Sequence, residues 1–170
     1  PLKRFDLSAA IIFSDILMVP YGLKQNVNFK RNFGPELGDI KLENLLKTNN
    51  KKFIKKLTPI YNSIKKVKSN ELIKNKNLIG FIGAPWTLLV YMINRKSPKN
   101  KISRDFFNDK NLINIILNKL EEFLKIHIEN QINNGADIIQ IFDSWAGLLD
   151  TKDLPKYVYL PTLNLVNFVK

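Results

Sequence analysis

An α/β fold on a parallel sheet is predicted by three observations. Three short apolar runs each give way to small or polar residues. They are Ala9-Ala10-Ile11-Ile12-Phe13 before Ser14-Asp15, Leu78-Ile79-Gly80-Phe81-Ile82 before Gly83-Ala84-Pro85-Trp86, and Ile138-Ile139-Gln140-Ile141-Phe142 before Asp143-Ser144-Trp145. Helical periodicities fill the gaps between them. A near-continuous apolar run of this length suits a strand buried on both faces of a parallel sheet. The change to polar residues is the texture of a β-to-α loop, where parallel α/β proteins build their sites.

The remaining elements follow in order. Val27 to Pro35 alternates partly and then turns at Gly34-Pro35, which predicts a short ribbon or flap. Leu42 to Leu57 carries Leu45, Leu46, Phe53, Ile54 and Leu57 on one stripe, and a second helix is expected to start at Thr58-Pro59 as N-cap and first-turn proline. The Gly83-to-Thr87 turn predicts a helix capped by Thr87 and carrying Leu88, Leu89 and Tyr91. Asn111 to Asn134 repeats apolar residues at three- and four-residue steps, and Gly135 supplies the stop. A last helix begins near Leu154-Pro155, with Pro161 expected to bend it. A closed (β/α)8 barrel takes roughly 250 residues. About three consecutive βα units in 170 residues therefore predict an arc, a partial (β/α)8 TIM barrel.

Composition bounds the function. Hydrophobic residues make up 45% and charged residues 25% of the chain, which supports a packed core rather than disorder. No apolar run approaches the length of a membrane span, and no secretory leader is expected from the opening Pro1 to Asp6. The chain begins at Pro1 and enters an apolar run almost at once, as expected of a piece of something longer. The absence of cysteine removes disulfides and thiolate chemistry and fits a cytoplasmic enzyme. The net charge of +12 raises the prospect of nucleic acid. However, the lysines come with equally abundant Asn and Ile, all with AT-rich codons, and they are spread along the chain. They are read as genome bias, with no nucleic-acid partner expected.

Chemistry narrows to the three strand ends. Asp15 follows a buried strand and precedes Ile16-Leu17-Met18-Val19, so its charge needs N–H donors, from a following helix or from a ligand. Tyr91 lies one turn past Thr87 and can aim its hydroxyl over the strand ends. The sole histidine, His127, falls mid-helix, which argues for a surface or packing role and against a Ser-His-Asp triad with Ser144. There is neither a metal-ligand spacing nor a phosphate-binding glycine motif of dinucleotide or P-loop type, so no metal site and no nucleotide-phosphate cradle is expected. One carboxylate, hydroxyls and aromatics would suit a flat, N–H-rich ligand.

The runs Ala9 to Leu17, Gly80 to Leu88 with Tyr91-Met92, and Phe142 to Gly147 together resemble successive signatures of the uroporphyrinogen decarboxylases. The resemblance implies a cofactor-free, cytoplasmic carboxy-lyase. Such an enzyme converts the four acetates of uroporphyrinogen III to methyls, giving coproporphyrinogen III, and works as a homodimer without membrane partners. It implies that residues 1–170 are the central part of one barrel domain truncated at both ends. It also implies that Asp15 and Tyr91 are catalytic and that Ser144, Phe81 and Phe142 bind substrate. Asp15 would accept pyrrole N–H bonds, Ser144 would hold a substrate carboxylate, and the two phenylalanines would line the cleft. The family's arginine and histidine loops have no match here, and Arg4, Arg31, Arg95 and Arg104 fall outside those motifs. Ile93-Asn94-Arg95-Lys96-Ser97-Pro98 replaces a loop usually rich in glycine. The isolated chain is therefore expected to be inactive. Two other readings are a corrinoid- or thiol-dependent methyltransferase of the same barrel superfamily and a basic nucleic-acid-binding module. The first typically relies on cysteine-bound zinc, and the second needs clustered charge.

Overall fold

A computed structural model describes residues 2–98, 102 and 107–170. Three strands, β1 (Ala9–Ile11), β4 (Asn77–Gly83) and β5 (Ile138–Phe142), form one sheet in the order β1-β4-β5. Both pairings are parallel, with Ala10 opposite Leu78 and Phe81 opposite Gln140. The three apolar runs are thus the three strands of an arc. Between β1 and β4 lie α1 (Met18–Gly22), the antiparallel ribbon β2 (Val27–Lys30) and β3 (Gly34–Leu37), α2 (Leu42–Lys47) and α3 (Asn50–Lys68). Next come α4 (Pro85–Asn94) and α5 (Lys110–Asn133) between β4 and β5, and α6 (Leu160–Val169) after a π-helical turn at Pro155–Tyr159. The expected flap is therefore a ribbon. Pro161 falls in the first turn of α6, directly after that π turn, in which Leu160 N–H donates to Pro155 C=O.

Only β4 is buried along most of its length; β1 and β5 expose Ile11, Ile138 and Phe142 on the concave face. They are the edges of a three-stranded arc, so that face lacks the neighbours that burial on both sides requires. β1 is also shorter than its apolar run. Its last ladder bond is Ile12 N–H to Ile79 C=O at 3.0 Å. The next position on β4 is occupied by a side chain: Gln131 of α5 accepts from Phe81 N–H and donates to Phe81 C=O, each at 3.1 Å. Gly80 makes this reach possible, because a Cβ there would stand 2.4 Å from Gln131 Oε1.

The helix expected to start at Thr58-Pro59 is instead part of α3. The break falls at Thr48-Asn49, where the Asn49 side chain caps the Lys52 N–H at 3.0 Å. Phe53, Leu57, Tyr61 and Ile64 form one buried stripe across Pro59, which sits on the solvent face. Burial of that stripe outweighs the single backbone bond that proline removes. α5 starts one residue earlier than its periodicity indicated, with Asp109 accepting from Leu112 N–H at 2.8 Å, and Gly135 ends it at φ +111°. The core joins α1, α3, α4, α5 and α6 through Leu17, Phe53, Trp86, Phe123 and Leu165, with Phe53 and Phe123 ring centroids 4.8 Å apart.

His127 is a packing residue, fully enclosed between α3 and α5, and it shares a 3.0 Å hydrogen bond with the Tyr61 hydroxyl. Burial pushes its imidazole down from 6.5 to about 4. The unfolded chain takes up this proton as pH falls below 6.5, whereas the folded chain does so only near 4. Stability should therefore decline across that window, by about 3 kcal/mol in total. Urea unfolding at pH 7 and pH 4.5 should show wild type losing about 2 kcal/mol more than His127→Gln. Equal losses would mean that His127 is not buried neutral.

Candidate active site

The carboxyl ends of β1, β4 and β5 share one rim. A cavity of about 230 Å³ lies there, lined by Ile11, Phe13, Ser14, Asp15, Ile16, Phe81, Phe142 and Ser144. Four of the five residues singled out from sequence, Asp15, Phe81, Phe142 and Ser144, thus face one space. Tyr91 is not in the lining but stands close enough to Asp15 to feel its charge.

Asp15 follows β1, half-buried, with Oδ1 accepting from Leu17 N–H at 2.7 Å. That bond closes a two-residue turn rather than capping a long helix, since α1 begins at Met18 with no side-chain cap. Burial raises the Asp15 carboxyl above its ordinary range, and the Leu17 N–H opposes it only in part. Burial also raises the Tyr91 phenol, with Asp15 adding to the shift. The Trp145 indole N–H lies near the phenol and opposes the shift, although it has no partner at full hydrogen-bonding geometry. The Trp145 and Tyr91 rings meet edge to face at 5.8 Å.

Aromatic rings form the cavity floor. Phe81 is buried and packs edge-on against Phe142 at 5.5 Å, with Phe13 at 6.3 Å on its other side. Sequence reasoning missed Phe13, Ile11, Ser14 and Ile16. A continuous apolar run carries no phase, but counting back from Asp15 in steps of two gives Phe13 and Ile11 on the same face. Ser144 is exposed to the cavity.

Thr87 departs from its expected place. The N-cap of α4 is Ala84, with Pro85 at the first helical position. The Thr87 hydroxyl instead donates to Asp143 Oδ1 at 2.7 Å and accepts from Trp145 N–H at 3.1 Å. Burial raises the Asp143 carboxyl, and the Thr87 hydroxyl and N–H oppose it. The segment after Met92 is pinned without glycine. Arg95 takes a left-handed conformation (φ 60°), its C=O accepts from Leu37 N–H at 2.7 Å, and its guanidinium pairs with Asp39 at 2.5 Å. Arg4 lies over the Phe5 ring, and Arg104 is outside the described residues. No three His, Cys, Asp or Glu side chains gather as metal ligands among the described residues. No helix there is long and apolar enough to cross a membrane.

A pocket at the carboxyl ends of parallel βα units is where α/β barrels build their sites. In fold, the chain resembles a methyltransferase from Methanosarcina mazei with a TM-score of 0.74, at 14% identity, over 97% of this chain and 50% of that one. The family model "Uroporphyrinogen decarboxylase (URO-D)" matches residues 1–170. The uroporphyrinogen decarboxylase of Rickettsia bellii is 42% identical over 172 residues, covering 100% of this chain and 50% of that protein. That of Orientia tsutsugamushi is 43% identical over 174 residues, again covering 100% of this chain and 50% of that protein. The corresponding enzyme of Campylobacter jejuni is 40% identical over 174 residues, covering 100% and 51%. This chain belongs to the uroporphyrinogen decarboxylase family, and it spans about half the length of the curated relatives it matches.

The coupling of Asp15 and Tyr91 is testable without any ligand. Replacing Asp15 by Asn removes a negative charge and keeps an acceptor for Leu17 N–H, so the Tyr91 phenol should ionise at lower pH. Titration of ¹³Cζ-labelled tyrosine by NMR should show one of the five tyrosines moving down. An unmoved Tyr91 resonance would separate the two residues.

Proposed function

We propose that the protein carrying this chain is a uroporphyrinogen decarboxylase that converts the acetate side chains of uroporphyrinogen III to methyls. The observation that supports this most is Asp15: a half-buried carboxylate with one N–H donor, set among Phe13, Phe81 and Phe142. Such a carboxylate is complementary to a cluster of pyrrole N–H groups, and the rings accept the flat faces between them. A proton added to a pyrrole carbon makes that ring cationic. Asp15 then stabilises the cation while the acetate C–C bond breaks, its electron pair enters the ring and carbon dioxide leaves. A second proton completes the methyl, and the ring proton is returned. No electron acceptor besides the substrate's own ring is needed. Tyr91, beside Asp15, orients the reacting acetate, and Ser144 hydrogen-bonds a substrate carboxylate.

In this reading residues 1–170 are the central part of one barrel domain, and chain beyond them supplies the remaining strands and the cationic groups for the other carboxylates. The chain's half-length coverage of its relatives and the three-stranded arc support that division. The family resemblance adds a cytoplasmic homodimer. Nothing in the geometry favours the methyltransferase reading, since the solved neighbour shares the fold alone at 14% identity.

In full-length protein, Asp15→Asn should fold with wild-type stability, yet lose at least about a hundredfold in turnover of uroporphyrinogen III, the scale seen when preorganised charge stabilisation is removed. Residues 1–170 alone should release no carbon dioxide. Near-normal turnover by Asp15→Asn would remove Asp15 from this role.

A further inference from the structure

We propose that Thr87 is a positioning residue that holds Ser144 in register with Tyr91. The proposal rests on the decarboxylase reading for the roles of those two residues, but its geometry stands apart from it. α4 has no cap of its own, because Ala84 offers no side-chain acceptor and Pro85 follows it. The missing acceptor comes from the neighbouring strand end. Asp143 places its carboxylate over the first turn of α4, accepting from the Thr87 hydroxyl at 2.7 Å with the Thr87 backbone N–H close by. The same hydroxyl oxygen accepts from Trp145 N–H at 3.1 Å.

Ser144 is therefore the one residue between two anchors, and both anchors end on a single Thr87 oxygen. Two further bonds fix the same loop to the same helix start. Ala84 N–H donates to Phe142 C=O at 2.8 Å, and Trp86 Nε1 donates to Trp145 C=O at 2.8 Å. Thr87 is fully buried and does not line the cavity, so it can act only through its neighbours. Tyr91 stands one turn further along α4, against the Trp145 ring. Displacing the loop from Thr87 moves Ser144 relative to both Tyr91 and Asp15. This trans-cap sets the spacing between groups carried by two different βα units.

The test is a double-mutant cycle in full-length protein. Thr87→Val keeps the shape and removes the hydroxyl, and it should lower kcat/KM for uroporphyrinogen III about tenfold. Thr87→Ser keeps the hydroxyl and should stay within about twofold of wild type. In a Ser144→Ala background Thr87→Val should cost nothing more, because the residue it positions is already gone. Independently of turnover, the Trp145 amide should exchange faster in Thr87→Val, having lost its acceptor. Equal losses with and without Ser144, or unchanged Trp145 protection, would overturn the proposal. If Thr87→Val does not fold, Asp143→Ala, which removes the acceptor for the Thr87 hydroxyl, enters the same cycle, and additivity with Ser144→Ala again overturns it. A wild-type protein without turnover would contradict the decarboxylase reading alone, and Trp145 exchange would still decide whether Thr87 holds the loop.

Discussion

The parallel pairing of β1 and β5 on either flank of β4 is the constraint on which the site depends. Because all three strands run the same way, their carboxyl ends share one rim, and the residues just past each end become neighbours. Asp15, Phe81 and Ser144 are far apart in sequence yet line one cavity. An antiparallel neighbour would send one of these loops to the opposite end of the sheet. Parallel pairing in turn needs the helical crossovers, so the large core of α3, α4 and α5 indirectly supports the rim.

The second constraint is how little polar compensation Asp15 receives. Among the described residues, one backbone N–H at 2.7 Å leaves most of its acceptor capacity unfilled, and partial burial keeps water from screening it fully. A carboxylate in this state attracts donors arranged around a point. Beside it, the Phe13, Phe81 and Phe142 rings line the same cavity. On the opposite wall, Ser144 is held by contacts that lie wholly outside the cavity. The site is thus specified as much by Thr87 and Asp143 behind it as by the residues that line it.

The sequence made the strands, the ribbon and α5 legible because each rests on local signals. Apolar runs, a turn and a three-to-four-residue period all lie within one element. The start expected at Thr58-Pro59 failed for the opposite reason. A local cap signal competed with a stripe from Phe53 to Ile64 whose burial depends on α5, and the tertiary contact prevailed. Asp15, Phe81, Phe142 and Ser144 were legible by position at strand ends together with the family signatures. Gln131 and Thr87 were not, since each acts through a side-chain bond to a partner at least 50 residues away. Phe13 was hidden by phase: within an unbroken apolar run, only the polar Asp15 that follows tells which side faces the cavity.

The central claim is that the Asp15 carboxylate is the anchor for a tetrapyrrole's N–H groups. It is tested most directly by anaerobic calorimetric titration of coproporphyrinogen III, the product, into full-length wild type and Asp15→Ala. Loss of a charged acceptor for several N–H groups predicts at least about tenfold weaker binding by the variant, with folding unchanged. Equal affinities would contradict the account.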